Sequence, residues 1–316
     1  MCQTVFMKIL VDTDPGVDDA FALLFALANP NLEVIGVTTV GGNAFLDDVT
    51  RNASGLLALA KRYYDFTIPT LHMGLQSHRR GNAESVHGIG GLGGVHLPTD
   101  FPVGNDAIGF IVETLRANPG EIRLVTLGPL TNIAAALEVE PELPRLAAGI
   151  SIMGGAERGG NSGNDAEFNI WQDPAAAEKV FDAAWTSFSM CGLDATACTT
   201  FTPELRELCF QVGREGNEIG TLLHDITRDY INRDWTANQV LGCRVHDLLP
   251  VALLVDETIA KSVKARVRVQ VGGPFDGRTI VTRGTGDVNV YTDSTDNKKL
   301  MNLLMLTLFP RLKRFL

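Results

Sequence analysis

Short apolar segments alternate with segments of helical spacing along the first 190 residues of the chain. Residues 33–40 (EVIGVTTV) are rich in β-branched side chains, which favour a buried strand. Residues 17–27 are apolar and carry two aspartates in the first turn, which is typical of a helix. The same patterns predict strands at 8–11, 67–71, 122–127, 150–153 and 186–190, and helices at 47–63, 106–117, 130–137 and 174–184.

The last third of the chain has a different pattern. Residues 203–257 are mostly helical in spacing, and residues 263–271 (VKARVRVQV) alternate with period two, which predicts a half-exposed strand. Segments 279–283 and 288–291 are expected to extend the same edge of the sheet. We find no linker, repeat or low-complexity tract. Since strand–helix alternation gives right-handed βαβ units, we predict one α/β domain over 1–316, with a mainly parallel, Rossmann-like central sheet flanked by helices.

Composition narrows the choice of partner and compartment. Apolar residues make up 45% of the 316, and 27 basic against 37 acidic residues give a net charge of −10. An acidic surface argues against nucleic acid and against an anionic membrane. The longest apolar run, residues 20–28, is far shorter than the roughly 20 residues of a spanning helix. No CxxC pair occurs and the N-terminus lacks the layout of a signal peptide, so we expect a reducing, cytoplasmic location; the cysteines are Cys2, Cys191, Cys198, Cys209 and Cys243.

Four carboxylates lie within eight residues at the predicted junction of the first strand and the first helix (DTDPGVDD, residues 12–19). Ligands of open α/β sheets bind at the carboxyl ends of strands, which is where this cluster lies. Helix capping would account for one or two such aspartates. Four anions repel each other, so a cation is the natural partner, and a set of oxygen ligands favours Ca²⁺ or Mg²⁺ over Zn²⁺.

Two other acidic motifs compete with this interpretation. An EF-hand loop starting at Asp12 needs Gly at 17 and Glu at 23, but the chain has Val17 and Leu23 there. A phosphatase of the haloacid dehalogenase type begins with DxDx[TV] after its first strand. Asp12 and Asp14 fit that motif, although position 16 is Gly, and Gly286-Asp287 could act as its later acidic motif. This phosphatase remains the enzymatic alternative.

Further polar residues follow the other predicted strands. Each has an ordinary alternative as a turn, cap or loop residue. Amides and a carboxylate on a glycine-rich loop suit a polyhydroxyl ligand, and a histidine beside a metal-binding carboxylate is a candidate acid. The backbone carbonyl of Leu127 is also a possible Ca²⁺ ligand. The candidates are Asn43, His87, Leu127, Met153, Asn161, Asn164, Glu167, Asn169, His246 and Asp247.

Taken together, these motifs resemble the inosine–uridine-preferring nucleoside hydrolase family. DTDPGVDDA at residues 12–20 is its most specific motif, and GGN, LGPLTN, MGGA, AEFN and HD follow in the family's order. The resemblance covers nearly the whole chain. It implies hydrolysis of the N-glycosidic bond of ribonucleosides with one Ca²⁺ per subunit, in nucleoside catabolism and salvage. It also implies a homodimer or homotetramer.

The resemblance further implies a role for each matching residue. Asp14 matches the general base, which also contacts the metal, and Asp18 matches the residue that binds the ribose 2′-hydroxyl. Asp19 matches the bidentate Ca²⁺ ligand, and the Leu127 carbonyl and Asp247 complete the ligand set. The remaining matches are Asn43 near the attacking water and ribose, Met153, Asn161, Glu167 and Asn169 on the sugar, His246 as leaving-group acid, and His87 on the base side.

The chain also departs from the family pattern. The loop after His87 reads GIGGLGG, without the acidic or hydroxyl residue that many members carry there. Residues 192–197 read GLDATA, with Ala197 in place of a histidine. Tyr230, Asp234 and Asn238 stand where members place residues that contact the base, so the base preference stays open. A non-catalytic protein that binds nucleosides or ribose is the second alternative, although every expected catalytic residue is present.

Overall fold

The computed structural model describes residues 6–79 and 84–314. Residues 1–5, which include Cys2 and the start of the N-terminal segment considered above, lie outside the described residues. Within them, the chain forms twelve strands and thirteen α-helices. The strands are β1 (Met7–Thr13), β2 (Leu32–Gly41), β3 (Thr70–Gln76), β4 (Val103–Gly104), β5 (Ile122–Thr126), β6 (Gly149–Met153), β7 (Phe188–Cys191), β8 (Thr200–Phe201), β9 (Cys243–Arg244), β10 (Ser262–Val269), β11 (Thr279–Arg283) and β12 (Val288–Tyr291).

The helices lie between and after these strands, and they differ widely in length. They are α1 (Val17–Ala28), α2 (Leu46–Ala60), α3 (Glu84–His87), α4 (Ala107–Ala117), α5 (Thr131–Val139), α6 (Leu143–Leu146), α7 (Phe168–Gln172), α8 (Pro174–Asp182), α9 (Leu193–Thr196), α10 (Pro203–Arg214), α11 (Glu218–Asn238), α12 (Leu248–Ala252) and α13 (Asn297–Leu308). No described helix is both long and apolar enough to cross a membrane.

A ten-stranded sheet forms the centre of the described structure, in the order β11-β10-β12-β7-β6-β5-β1-β2-β3-β4. Its pairs are parallel except those that β10 makes with β11 and β12. Both faces are covered: Ile9 and Val11 of β1 belong to one apolar cluster, and Leu10 belongs to the other. This double cover explains why the central strands read as continuous apolar runs. The predicted mainly parallel α/β fold is confirmed.

The order of the strands fixes where a ligand can bind. The sheet grows from β1 to one side through β2, β3 and β4, and then to the other side through β5, β6 and β7. Such a reversal opens a crevice at the carboxyl end of the strand where it occurs. The acidic motif begins at the end of β1, and therefore at this crevice.

Several elements differ from the sequence prediction. The third strand lies at Thr70–Gln76 and not at 67–71. The segment 203–257 is interrupted by β9, which pairs with β8 in a separate two-stranded sheet. Helix α13 was not predicted, although Leu300 and Leu304 are buried in the larger apolar cluster. Cys191, Cys198, Cys209 and Cys243 are free thiols.

Candidate active site

The junction between β1 and α1 buries the carboxylate of Asp19. This carboxylate accepts hydrogen bonds from the backbone N–H of Gly16 at 2.9 Å and from the hydroxyl of Thr13 at 2.5 Å. Asp19 therefore does cap the first turn of α1, as the capping alternative expects. It also accepts a bond from the side-chain amide of Asn43, at 2.9 Å, which joins it to the end of β2.

Asp18, Asp19 and Asp247 form a buried acidic cluster, in which one oxygen of each lies within 4.8 Å of the others. Asp247 occupies the N-cap position of α12, yet its side chain makes no capping hydrogen bond. Burial, and then the neighbouring carboxylates, raise the pKa of Asp18 and of Asp247 well above the usual range. Three carboxylates this close are unfavourable unless they are protonated or share a cation.

Asp14 lies beside this cluster and is fully buried. Its Oδ2 accepts the backbone N–H of Asn43 at 2.7 Å, whereas its Oδ1 has no hydrogen-bond partner. Two glycines make room for the carboxylate: a Cβ at Gly128 would lie 2.5 Å from Oδ1, and one at Gly42 would collide with Oδ2. Burial, followed by the charge of Asp19, raises the pKa of Asp14 well above its ordinary value.

The carboxylate oxygens gathered at this site fit a divalent cation. The carboxylate atoms Oδ1 of Asp14 and Oδ1 of Asp18 are buried without a partner, which is costly unless an ion or a proton satisfies them. All available ligands are oxygens, which suits Ca²⁺ or Mg²⁺. The structure brings together the predicted ligands Asp19 and Asp247 with Asp14 next to them, and it adds Asp18, which was predicted to contact ribose.

A second polar group faces the cluster from the loop after β6. The carboxylate of Glu167 accepts three backbone N–H groups, from Gly155, Asn169 and Ile170, at 3.0–3.2 Å. Burial raises the pKa of Glu167 to about 7. The side-chain amide of Asn169 donates to the carbonyl oxygens of Leu127, at 2.7 Å, and of Met153, at 3.2 Å. These bonds tie the loop to the ends of β5 and β6.

The outer part of this loop is less enclosed. Asn161 is exposed and accepts the backbone N–H of Phe168 at 2.9 Å through its side-chain oxygen. Its neighbour Asn164 donates to the carbonyl of Pro274 and does not line the pocket described below. Of the two asparagines that the sequence singled out here, only Asn161 reaches the site.

Aromatic and basic side chains form another part of the site. The Nδ1 atom of His87 accepts the backbone N–H of Val17 at 3.1 Å, and its ring stacks on Tyr230 with centroids 5.3 Å apart. Burial, and then the charge of Arg233, lower the pKa of His87 to about 3. Burial also lowers the pKa of His246 to about 4. Burial therefore disfavours the positively charged form of both imidazoles in the metal-free protein.

Most of the side chains described above line one pocket of about 360 Å³, a size suited to a small molecule. Asp14 and Asp19 are fully buried and do not line it. The other predicted site residues do, and they are Asp18, Asn43, His87, Leu127, Met153, Asn161, Glu167, Asn169, His246 and Asp247.

Several pocket residues were missed by the sequence analysis. Phe168 belongs to the AEFN motif, and Leu193 belongs to the GLDATA block, so both had a local signal. Arg233 and Arg244 had none, because a basic residue on a helix or short strand is ordinarily a solvent-exposed one. Only the packing of α11 and β9 brings these two arginines to the pocket.

Asp12, the nucleophile that the phosphatase alternative requires, lies elsewhere. Its Oδ1 accepts hydrogen bonds from Thr38 at 2.6 Å and from Asn132 at 2.7 Å. Like Asp14, Asp12 is fully buried and does not line the pocket, but unlike Asp14 it has no neighbouring carboxylate among the described residues that raises its pKa, so it is not part of the acidic cluster. The phosphatase alternative is not favoured.

Comparison with known proteins points to one family. The family model described as inosine-uridine preferring nucleoside hydrolase matches residues 9–302. The chain is 33% identical over 281 residues to an inosine-uridine preferring nucleoside hydrolase of Leishmania major, with 87% of each chain covered. It is 35% identical over 278 residues to the pyrimidine-specific ribonucleoside hydrolase RihB of Escherichia coli O1:K1, with 86% of each covered.

Among solved structures, the chain is similar to a purine-preferring ribonucleoside hydrolase from Gardnerella vaginalis. The TM-score is 0.86 at 31% identity, over 95% of this chain and 98% of that one. A plant nucleoside hydrolase gives a TM-score of 0.84, also at 31% identity, over 96% and 98%. The similarity therefore extends over nearly all of the fold.

Proposed function

The chain belongs to the inosine–uridine-preferring nucleoside hydrolase family, and we propose that it hydrolyses the N-glycosidic bond of ribonucleosides with Ca²⁺ as cofactor. The products are ribose and a free purine or pyrimidine base. One observation carries the proposal: a single pocket combines a buried carboxylate cluster, a polar loop suited to sugar hydroxyls and an aromatic, basic wall. A nucleoside has two matching parts, a ribose for the carboxylates and the polar loop and a base for the aromatic, basic wall.

Asp14, Asp19, Asp247 and the carbonyl of Leu127 would hold one Ca²⁺ per subunit. When bound, the ion supplies positive charge that orients sugar hydroxyls and makes a water more acidic. The unpartnered Oδ1 of Asp14 and the closeness of Asp19 to Asp247 support this assignment.

Asp14 is proposed as the general base. The backbone of Asn43 fixes Oδ2 of its carboxylate, so Oδ1 is the oxygen left to accept a proton from water. That water attacks the anomeric carbon as the bond to the base breaks. Direct attack predicts inversion at that carbon, by analogy with inverting glycosidases.

The sugar-binding residues are proposed to stabilise the positive charge that develops on ribose. Asp18 binds the 2′-hydroxyl, and Glu167, Asn169, Met153 and Asn161 surround the other hydroxyls. Negative and dipolar groups fixed in advance around an oxocarbenium-like sugar lower the barrier without reorganising. The three backbone N–H groups on Glu167 hold its carboxylate in such a fixed position.

On the base side, His246 is proposed to protonate or hydrogen-bond the leaving base, and His87 to contact it. The relatives differ here, since one is named pyrimidine-specific and another purine-preferring. Base preference therefore depends on this chain's own residues. The cytoplasmic location, the homodimer or homotetramer and the role in nucleoside salvage remain predictions.

A substrate panel tests the proposal. Inosine, uridine, cytidine and adenosine are incubated with the Ca²⁺-loaded protein, and free ribose is measured; nitrophenyl phosphate is assayed in parallel. We expect ribose from at least one nucleoside and no release of nitrophenol. Binding of nucleosides without ribose release would support the non-catalytic alternative, and nitrophenol release would support the phosphatase.

A further inference from the structure

Arg233 places a positively charged guanidinium at the pocket. It lines the pocket from α11, and its terminal nitrogen Nη1 is buried with no hydrogen-bond partner. Among the described residues, no carboxylate lies within ion-pairing distance of its guanidinium. A buried donor without an acceptor is unfavourable by itself, so it points to an acceptor that arrives with a ligand.

The neighbouring Asp234 does not pair with Arg233, because both of its carboxylate oxygens already accept other hydrogen bonds. Oδ1 of Asp234 accepts the side-chain amide of Asn238 at 2.7 Å, and Oδ2 accepts the backbone N–H of Arg244 at 2.8 Å. These bonds fix the end of α11 to β9. They hold the helix, and Arg233 with it, in place against the pocket.

Arg233 lies on the same face of helix α11 as Tyr230, and this shows which way its side chain points. Tyr230 precedes it by one turn, lines the same pocket and stacks on His87. The charge of Arg233 is close enough to lower the pKa of His87. The guanidinium therefore lies near His87 and Tyr230, on the side of the pocket proposed for the base of a nucleoside.

We propose that Arg233 is a specificity-determining residue that binds the carbonyl edge of the nucleobase and selects oxo bases over amino bases. This inference rests on the proposed function. A guanidinium has donors and no acceptor. It pairs with the O6 and N7 of hypoxanthine or with the O4 of uracil, but it faces another donor in the amino group of adenine or cytosine.

Arg244 is a weaker candidate for this role. It lines the pocket too, but its buried unpartnered atom is Nε, in the middle of the side chain, and not a terminal nitrogen. Arg228 supplies a matched control, since it lies on the same helix but is exposed beside Asp229.

The test compares two pairs of substrates that differ at one exocyclic position, inosine with adenosine and uridine with cytidine. For the wild-type protein we expect higher kcat/KM for the oxo member of each pair. Arg233→Met should lower kcat/KM for the oxo member by roughly 10- to 100-fold and leave the amino member within about threefold. Arg233→Lys keeps the positive charge but lacks the paired donors of the guanidinium. It should therefore recover part of the preference for the oxo member of each pair. Arg228→Met should change neither ratio.

Two results would overturn the proposal. Equal losses of kcat/KM on both members of a pair would show that Arg233 only supports the fold of α11, and unchanged kcat/KM for both members would show that it does not contact the base. If the wild-type protein cleaves no nucleoside, the proposed function fails separately. Calorimetric binding of free hypoxanthine and adenine then decides the role of Arg233: a preference for hypoxanthine that Arg233→Met removes supports it, and equal binding contradicts it.

Discussion

Nδ1 of His246 lies 2.8 Å from the hydroxyl oxygen of Thr196, which is fully buried at the end of α9. This contact occupies one ring nitrogen and leaves Nε2 as the atom that can face a ligand in the pocket. The orientation suits the proposed role of His246 towards the leaving base.

His246→Ala should therefore affect substrates according to how poorly their leaving group departs. We expect a loss of ~10²-fold or more in cleavage of inosine or uridine, the usual scale for general acid catalysis, and a much smaller loss for p-nitrophenyl riboside, which releases a stabilised phenolate. Both rates are measured at saturating Ca²⁺, because His246 adjoins Asp247. Equal losses on the two substrates would exclude the acid role.

Thr196→Val keeps the shape of the side chain and removes its hydroxyl. If the hydroxyl orients His246, this variant should show the same substrate dependence as His246→Ala, with a smaller loss in kcat and little change in KM. The comparison of the two leaving groups is the measurement. A uniform loss across both leaving groups would instead indicate a general packing effect.

Asp14→Asn should lower kcat by roughly ~10³-fold or more while substrate affinity changes far less. An amide keeps the shape of the side chain but cannot take a proton from water. Asp12→Asn is the matched control, because Asp12 is equally buried two residues earlier in the chain, on β1, and its Oδ1 accepts hydrogen bonds from Thr38 and Asn132. Near-normal turnover by Asp14→Asn would remove Asp14 from the base role.

The fold could be predicted from the sequence because its strands are buried on both faces and read as apolar runs between amphipathic helices. The residues of the first motif were found because they are adjacent in sequence. Arg233 is different: it lies between Tyr230 and Asp234, which the sequence analysis singled out, but nothing in the residue itself predicts that the packing of α11 brings it to the pocket. The position of β3 was missed because TLHMGLQ (Thr70–Gln76) has weak alternation and Pro69 precedes it.

The acidic cluster should make the metal-free protein sensitive to pH. Burial and mutual repulsion raise the pKa of Asp14, Asp18 and Asp247 above 3.8, their value in the unfolded chain. The folded state then binds more protons than the unfolded state, so this contribution to stability is present at low pH and is lost as pH rises through the folded pKa values. We expect the Tm of the metal-free protein to be lower at pH 8 than at pH 6, and Ca²⁺ to restore it at pH 8.

Asp247→Asn separates this effect from ordinary destabilisation. Removing one charge from the cluster should raise the metal-free Tm at pH 8 by about 5 °C and abolish the shift caused by Ca²⁺. Asp256→Asn is the control, because hydrogen bonds from Lys299 and Thr258 lower the pKa of Asp256 to about 2. That variant should not raise the Tm. A Ca²⁺ shift that survives in Asp247→Asn would contradict the proposed ligand set.

Proton NMR of a single reaction with inosine or uridine tests the central claim most directly. The wild-type protein with Ca²⁺ should release free base and ribose in equal amounts without added phosphate, with α-ribose appearing first and the β anomer only as ribose equilibrates. Intact nucleosides after prolonged incubation, or β-ribose as the first product, would contradict hydrolysis by direct attack of water.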